Sequence, residues 1–171
     1  MDAIETIAAR RAVRRFAGRD IDPTDIERIL DAGRRAPSSM NEQRWDFVVV
    51  TDRDRLRELS NVWQYGRHVA SSAATVALVT PDVEDADTRE SIAFDLGQAA
   101  MSMMIAAAVL GIGSCHSAVG DQELCRWLLG YPGDRRCDYL ITLGYPADRP
   151  IMPLRAHDRR PFDGVVHRER W

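Results

Sequence analysis

Four arginines stand within six residues near the start of the chain, Arg10, Arg11, Arg14 and Arg15, bracketing Ala12 and Val13 before the run ends on Phe16. Guanidinium is the side chain best matched to phosphate, because its planar fork meets two oxygens at once and keeps its charge at any physiological pH. Arginines alternating along an extended segment just after a helix can converge on one multiply charged anion. A second cluster lies far away, His157-Asp158-Arg159-Arg160-Pro161-Phe162. A solvated basic face is the other reading of such runs, and the arginines alone leave both open. Other reactive types are sparse. Cys115, Cys125 and Cys137 are odd in number, irregularly spaced and without a C-x-x-C pair, which fits reduced thiols rather than a disulfide framework or a zinc site. A buried structural thiol is a commoner reading of Cys115 than a nucleophile, and a structural role is the commoner reading of His116. All 23 basic residues are arginine, so Schiff-base chemistry is excluded. A net charge of −3 argues against general nucleic-acid binding and makes the arginine clusters local sites.

Hydrophobic periodicity supplies the elements that must position these residues. Residues 2–10 predict a helix with Ile4, Ile7 and Ala8 on one face and Arg10 at its C-terminus, followed by an extended segment, Val13–Phe16. Thr24 and Glu27 form a capping-box pattern opening a second helix, which carries Ile26, Ile29, Leu30 and Gly33 and is stopped by Pro37. Strands are expected over 45–50, 75–80, 112–117 and 139–144, the last uninterrupted and therefore central. Short helices follow Asp52 (to Leu59) and Asp121 (122–129, stopped by Gly130 and Pro132). Asn61–Ala70 is poorly patterned, leaving Trp63, Gln64, Tyr65, Arg67 and His68 exposed or facing a site. An acidic loop, Pro81–Thr88, leads into a long helix from about 89 to 110, apolar nearly all round from Leu96 onward, with Gly111 as its C′ residue. Such a helix must be buried on several sides. A 171-residue chain has few elements to cover it, so a partner subunit is the simplest cover. The order of elements predicts one α+β domain over 1–171, in three layers or as a mixed arrangement. There is no charged-then-apolar leader. The longest apolar run, Ala99–Ile112, is short and interrupted for a bilayer span, so a cytoplasmic location without membrane contact is expected. After Pro146 the chain is rich in proline and arginine, lacks periodicity and should run over a surface.

Four motifs then occur in order: Arg10-Arg11-Ala12-Val13-Arg14-Arg15-Phe16; Ala36-Pro37-Ser38-Ser39-Met40-Asn41-Glu42-Gln43-Arg44-Trp45; Gly111-Ile112-Gly113-Ser114-Cys115 after the long helix; and the basic tail. Together they resemble the FMN-dependent nitroreductase family over nearly the whole chain. The resemblance implies a three-layer α-β-α sandwich around a mixed, mainly antiparallel sheet with a long buried central helix. It also implies an intertwined homodimer with two flavins at the interface, the tail from about 146 to 171 wrapping the partner. The implied cofactor is FMN, with NADH or NADPH as donor. Hydride would pass through flavin N5 to a nitro compound, a quinone or a similar small-molecule acceptor in ping-pong order. An FMN enzyme of another redox reaction, in a cofactor or natural-product pathway, and a flavin-binding or regulatory protein with little turnover are the alternatives.

Carried over by position, Arg10, Arg11, Ala12 and Arg14 match the motif that holds the FMN phosphate and ribityl chain, and His157, Arg159 and Arg160 match tail residues that close on the same phosphate. Pro37, Ser38, Ser39 and Asn41 match a loop reaching the flavin bound mainly by the other subunit. Gln64 and Arg67 match a polar pair at the pyrimidine edge, where positive charge stabilises the reduced ring. Ser117 and Ala118 fall where backbone groups face N5. Three departures stand out. Ala12 replaces a serine, Arg44 replaces a proline and adds positive charge near the flavin mouth, and the Pro81–Thr88 connection lacks the excursion that often forms a lid.

Overall fold

The structure, a computed structural model of the chain, describes residues 2–153 and 159–171. Its spine is β4 (Arg135–Gly144), which pairs on one side with β2 (Ala74–Pro81) and on the other with β3 (Gly113–Ala118). β1 (Asp46–Val50) pairs with the outer side of β2, so the spatial order is β1-β2-β4-β3. All three pairings are antiparallel. The parallel component expected of a mixed sheet reduces to an isolated bridge between Ala12 and Ser114.

Because strand side chains alternate between faces, the two central strands feed two cores. Val76, Leu78, Ile141 and Leu143 meet α2 (Pro23–Arg34) and α5 (Ala86–Val109). Ala77, Val79, Leu140 and Cys137 meet the layer of α3 (Arg53–Leu59), α4 (Arg67–Ala70) and α6 (Gln122–Leu129). The molecule is thus an α-β-α sandwich of the α+β class. α1 (Ala3–Ala9) lies outside both cores, against α5.

Helix starts follow their side-chain caps. Asp52, Asp85 and Asp121 each accept an N–H from the first turn of α3, α5 and α6. α2 departs from expectation: its cap is Asp22, bonded to Thr24 N–H at 2.8 Å, with Pro23 at the first helical position. Proline there is preset for the helix, so the start moves ahead of the Thr24/Glu27 pattern. A capping box does occur, at α1, where Asp2 and Glu5 bond reciprocally. α5 begins at Ala86, ahead of the expected start, because Asp85 caps it and Asp87 complements its positive end. Residues 82–85 are all that remains between β2 and α5.

α5 is long and apolar enough, by length and composition alone, to cross a membrane. Here its Leu96, Ala99, Met103 and Ala107 line is buried against α2 and the sheet. A Cβ on Gly33 would stand 2.2 Å from Met103 Cε, so the Met103 side chain packs into the space that this glycine leaves open. Within one chain α2, the sheet and α1 cover α5, yet part of its surface stays open. Phe94 is 72% exposed and Val109 57%. Gly111 ends the helix in the left-handed region, φ 72°.

Candidate functional site

The arginine run is held by a slot in the sheet. Gly113 and Gly144 are cross-strand partners at one end of the β3–β4 ladder. A Cβ on Gly113 would come within 2.7–2.9 Å of three Val13 side-chain carbons, and one on Gly144 within 2.7 Å of the Phe16 ring. Only two adjacent residues without side chains let this segment lie flat on the ladder. Val13 is buried there, and its N–H donates to the Ser114 carbonyl at 2.9 Å. Farther along, Ala17 N–H donates to Tyr145 O and Ala147 N–H to Arg15 O. With the apolar side chains turned inward, Arg14 stands exposed at the β3 end.

The arginines differ in their engagements. Arg11 is committed elsewhere: its Nη2 donates to Asp148 Oδ1 at 2.6 Å and to the Arg149 carbonyl at 2.8 Å, tying the start of the tail to the body. That contact holds the Asp148 carboxyl down at about 2. Arg10 caps α1, half-buried, and its Nε is buried without a hydrogen-bond partner. No described carboxylate pairs with Arg10 or Arg14. A buried, unsatisfied, charged donor needs an explanation, and an anion would provide one.

Near this pair lie Cys115 and His116 of β3 and His68 of the Ser60–Ala70 segment. Gly120 N–H donates to Val62 O at 2.8 Å, and a Cβ on Gly120 would strike the Trp63 ring at 2.6 Å, so the segment is docked closely onto the β3 exit. Gln64 and Arg67 are exposed on it, while Ser117 is buried and Ala118 half-buried as the last residues of β3. His68, expected to be exposed or site-facing, is buried to 7% exposure, because α4 turns it inward. Its Nε2 has no partner, and burial together with the nearby Arg14 charge lowers its pKa. Burial raises the pKa of the Cys115 thiol, with Arg14 and Arg10 offsetting part of the rise. Cys115 is accordingly a structural thiol rather than a nucleophile. His116 is exposed and shares an apolar cavity of about 480 Å³ with Arg10, Tyr139 and the small residues Ala93, Gly97 and Ala100 of α5.

Pro37, Ser38, Ser39 and Asn41 are assembled elsewhere. Pro37, Ser38 and Ser39 line a different cleft, on the flank of α5 carrying Glu90, Phe94, Asp95 and Gln98. The loop is unusual in its backbone: Met40, Asn41 and Gln43 have φ of 51°, 58° and 49°. Non-glycine residues in this left-handed region store strain of about 1 kcal/mol or more each, and such residues concentrate at functional sites. Met40 projects at the tip, 90% exposed. Arg44 pairs with Glu42, so the added positive charge expected here is neutralised within the loop. Of the tail residues, Arg159 and Arg160 are exposed, and the Arg160 guanidinium donates back to the Gly164 carbonyl. His157 lies outside the described residues. Asp95 and the Arg11–Asp148 tie escape a reading of the sequence. The one available signal for Asp95 is its place where α5 turns from polar to apolar.

Comparison with known proteins identifies the family. The profile of the nitroreductase family matches residues 7–73 and 60–145. A protein of Archaeoglobus fulgidus provisionally named NADH dehydrogenase/NAD(P)H nitroreductase is 33% identical, over 99% of this chain and 99% of its own. The NADPH-flavin oxidoreductase of Vibrio harveyi is 29% identical, over 99% of this chain and 75% of its own. The solved structure of the NADPH:FMN oxidoreductase from Vibrio harveyi complexed with NAD+ superposes with a TM-score of 0.86 at 27% identity, covering 100% of this chain and 78% of that one. With its profile spread over most of the chain and a relative one-third identical from end to end, this protein belongs to the nitroreductase family.

Proposed function

We propose that the chain is an FMN-dependent oxidoreductase that draws electrons from NADH or NADPH and delivers them to a nitro compound, a quinone or a similar small acceptor, working as a homodimer in the cytoplasm. The carrying observation is Arg10, whose buried Nε lacks a partner, standing with Arg14 near Cys115 of β3, neither of them paired with a described carboxylate. A terminal phosphate is the anion best matched to two converging guanidiniums. FMN, when bound, would supply the hydride-transfer chemistry between NAD(P)H and the acceptor. Arg10 and Arg14 would hold the phosphate end, and Arg67 would supply positive charge at the pyrimidine edge of the ring. The backbone of Ser117 and Ala118, fixed in the β3–β4 ladder, would offer preorganised dipoles toward the flavin. Family relatives named for flavin and NADPH support the same cofactor pair.

Dimerisation rests on surfaces that one chain leaves uncovered. Ile4 and Ile7 of α1, Phe94 and Val109 of α5, and Phe162, Val165 and Trp171 of the tail are all exposed. The Pro37–Asn41 loop lines a flank of α5 other than the one facing Arg10, so it serves the flavin held by the second copy. The three cysteines are free and buried, as suits a reducing compartment.

Purified protein is expected to be yellow, to release FMN rather than FAD, and to oxidise NAD(P)H when a quinone is added. A yellow protein without turnover would make it a flavin binder instead. Arg14→Ala should raise the FMN dissociation constant about thirtyfold, equivalent to roughly 2 kcal/mol, with circular dichroism unchanged. Wild-type affinity in that variant rejects the site.

A further inference from the structure

We propose that Asp95 is a positioning residue of the flavin site, whose carboxylate fixes the Ser38–Gln43 loop in the strained conformation that it presents to the cofactor of the second copy. The inference rests on the functional reading above for what the loop serves, and on this chain's own geometry for how the loop is held.

The loop's hydrogen bonds are nearly all its own. Asn41 N–H donates to Ser38 O and Glu42 N–H to Ser39 O, both at 3.0 Å. Gln43 N–H donates to Ser38 Oγ at 3.0 Å, and the Gln43 side-chain amide to Asn41 O at 3.1 Å. These bonds shape the loop without placing it. Trp45 N–H donates to Gln43 O at 2.8 Å where the loop runs into β1, and among the described residues one hydrogen bond joins Ser38–Gln43 to an element distant in sequence: Ser39 N–H donates to Asp95 Oδ2 at 2.9 Å. The apolar ends, Ala36 and Trp45, are seated in the core, and between them the loop's position depends on that one contact.

Asp95 itself is out of place unless it has such a task. It is 6% exposed, on a helix whose neighbouring buried positions are Ile92, Leu96 and Ala99. No described arginine pairs with it. Burying an unpaired carboxylate is costly, and an apolar side chain of similar volume commonly gives equal or greater stability at such a position. A group kept at this cost in the first half of α5, and spent on the one amide that anchors a strained loop, is there to place that loop.

The test exploits the opposite signs expected for stability and for site geometry. Asp95→Leu removes the acceptor, Ser39→Pro removes the donor at the first position of a 3-10 turn, and Asp95→Asn keeps an acceptor oxygen. In apo protein, Asp95→Leu should exchange the amides of residues 39–43 at least tenfold faster than wild type, with an unchanged or higher melting temperature. Asp95→Asn should stay within about threefold of wild type. In flavin-loaded protein, Asp95→Leu and Ser39→Pro should each lower kcat/KM per bound flavin about tenfold, and the double variant no further, as expected of two ends of one contact. Wild-type exchange in Asp95→Leu, or an Asn variant as impaired as the Leu one, overturns the proposal. Should Asp95→Leu fail to fold, Ser39→Pro decides alone: wild-type amide exchange and kcat/KM overturn it. Faster exchange with unchanged flavin affinity and turnover leaves Asp95 as the loop's anchor and removes the loop from the flavin site, which separates this inference from the reading beneath it.

Discussion

The two halves of the site are built in opposite ways. The arginine half is written into the sheet. Val13 reaches Ser114 and Gly113, Phe16 reaches Gly144 and Pro146, and Arg11 reaches Asp148, all contacts between residues far apart in sequence. The loop half is tied mostly to itself and to its own flank at Trp45, carries three left-handed residues and, among the described residues, reaches a distant element through one hydrogen bond. A half fixed by the sheet is preorganised, so an anion arriving there displaces nothing and orders little. A half held by local bonds can be adjusted without disturbing the core. Tight binding of one invariant group belongs to the first kind, and contact with varied partners to the second.

Three experiments can break or sharpen that contrast. The largest effect is expected between copies, where the two halves would meet. Phe94→Glu puts a carboxylate on the uncovered face of α5, beside the loop's cleft. It should cost on the order of 4 kcal/mol, or roughly a thousandfold in dimer dissociation constant, and flavin should be lost with the dimer. Analytical sedimentation with absorbance detection reads both, and a fully flavinated dimer would take Phe94 out of the interface. Ala107→Glu cannot serve this purpose, because Ala107 is wholly buried in the chain's own core.

A smaller effect is expected within the arginine half. Gly113→Val places side-chain atoms where Val13 already lies. Overpacking of this kind costs about 2 kcal/mol, and the displaced arginines should carry FMN affinity away with it. Urea denaturation and flavin titration measure the two losses. If stability falls while affinity holds, the slot is a packing feature and not the basis of preorganisation.

The smallest effect concerns the Arg11–Asp148 tie. Hydrogen bonding to Arg11 and to the Arg149 backbone depresses the Asp148 pKa from 3.8 to about 2. A depressed carboxylate contributes above its unfolded value and ceases to contribute as pH falls through the folded one. The tie is therefore complete above about pH 4 and released towards pH 2. At neutral pH, Asp148→Asn should mimic release: proteolysis within residues 149–171 speeds up severalfold, while the melting temperature stays within about 2 °C, as exposed ion pairs dictate. Unchanged proteolysis would show that the tail is held by other contacts.

How legible each part is in the sequence depends on whether its cause is local. α6 runs over the expected residues, with Asp121 as cap and Gly130 at φ 73°, because cap, periodicity and glycine all lie within ten residues. β1, β2 and the second half of β4 follow from β-branched runs in the same way, whereas β3 holds no β-branched residue. β4, however, starts at Arg135 rather than Tyr139. Arg136 and Asp138 pair with each other on the strand, and such charges hide a ladder from a hydrophobicity reading. His68 was legible as part of an unusual segment but not as buried, since its burial depends on α4 docking to the β3 exit. Arg11 read as a phosphate ligand by position, and its bond to Asp148, 137 residues away, is invisible to any window. Nothing in Met40 or Gln43 announces a left-handed backbone; of the three, only Asn41 is of a type that adopts it readily.

The brevity of the β2–α5 connection carries a practical consequence. Pro81 is still paired in the ladder with Arg135, Asp82 is bonded to Asp134 and Arg136, and Asp85 already caps α5. Residues 83 and 84 are therefore the natural splice point of the chain. Its two ends are independently anchored and near each other, so an inserted segment needs only to leave and return, at a closure cost that grows slowly with length. A library of inserts grafted there would sample new acceptor ranges while leaving both the slot and the strained loop untouched.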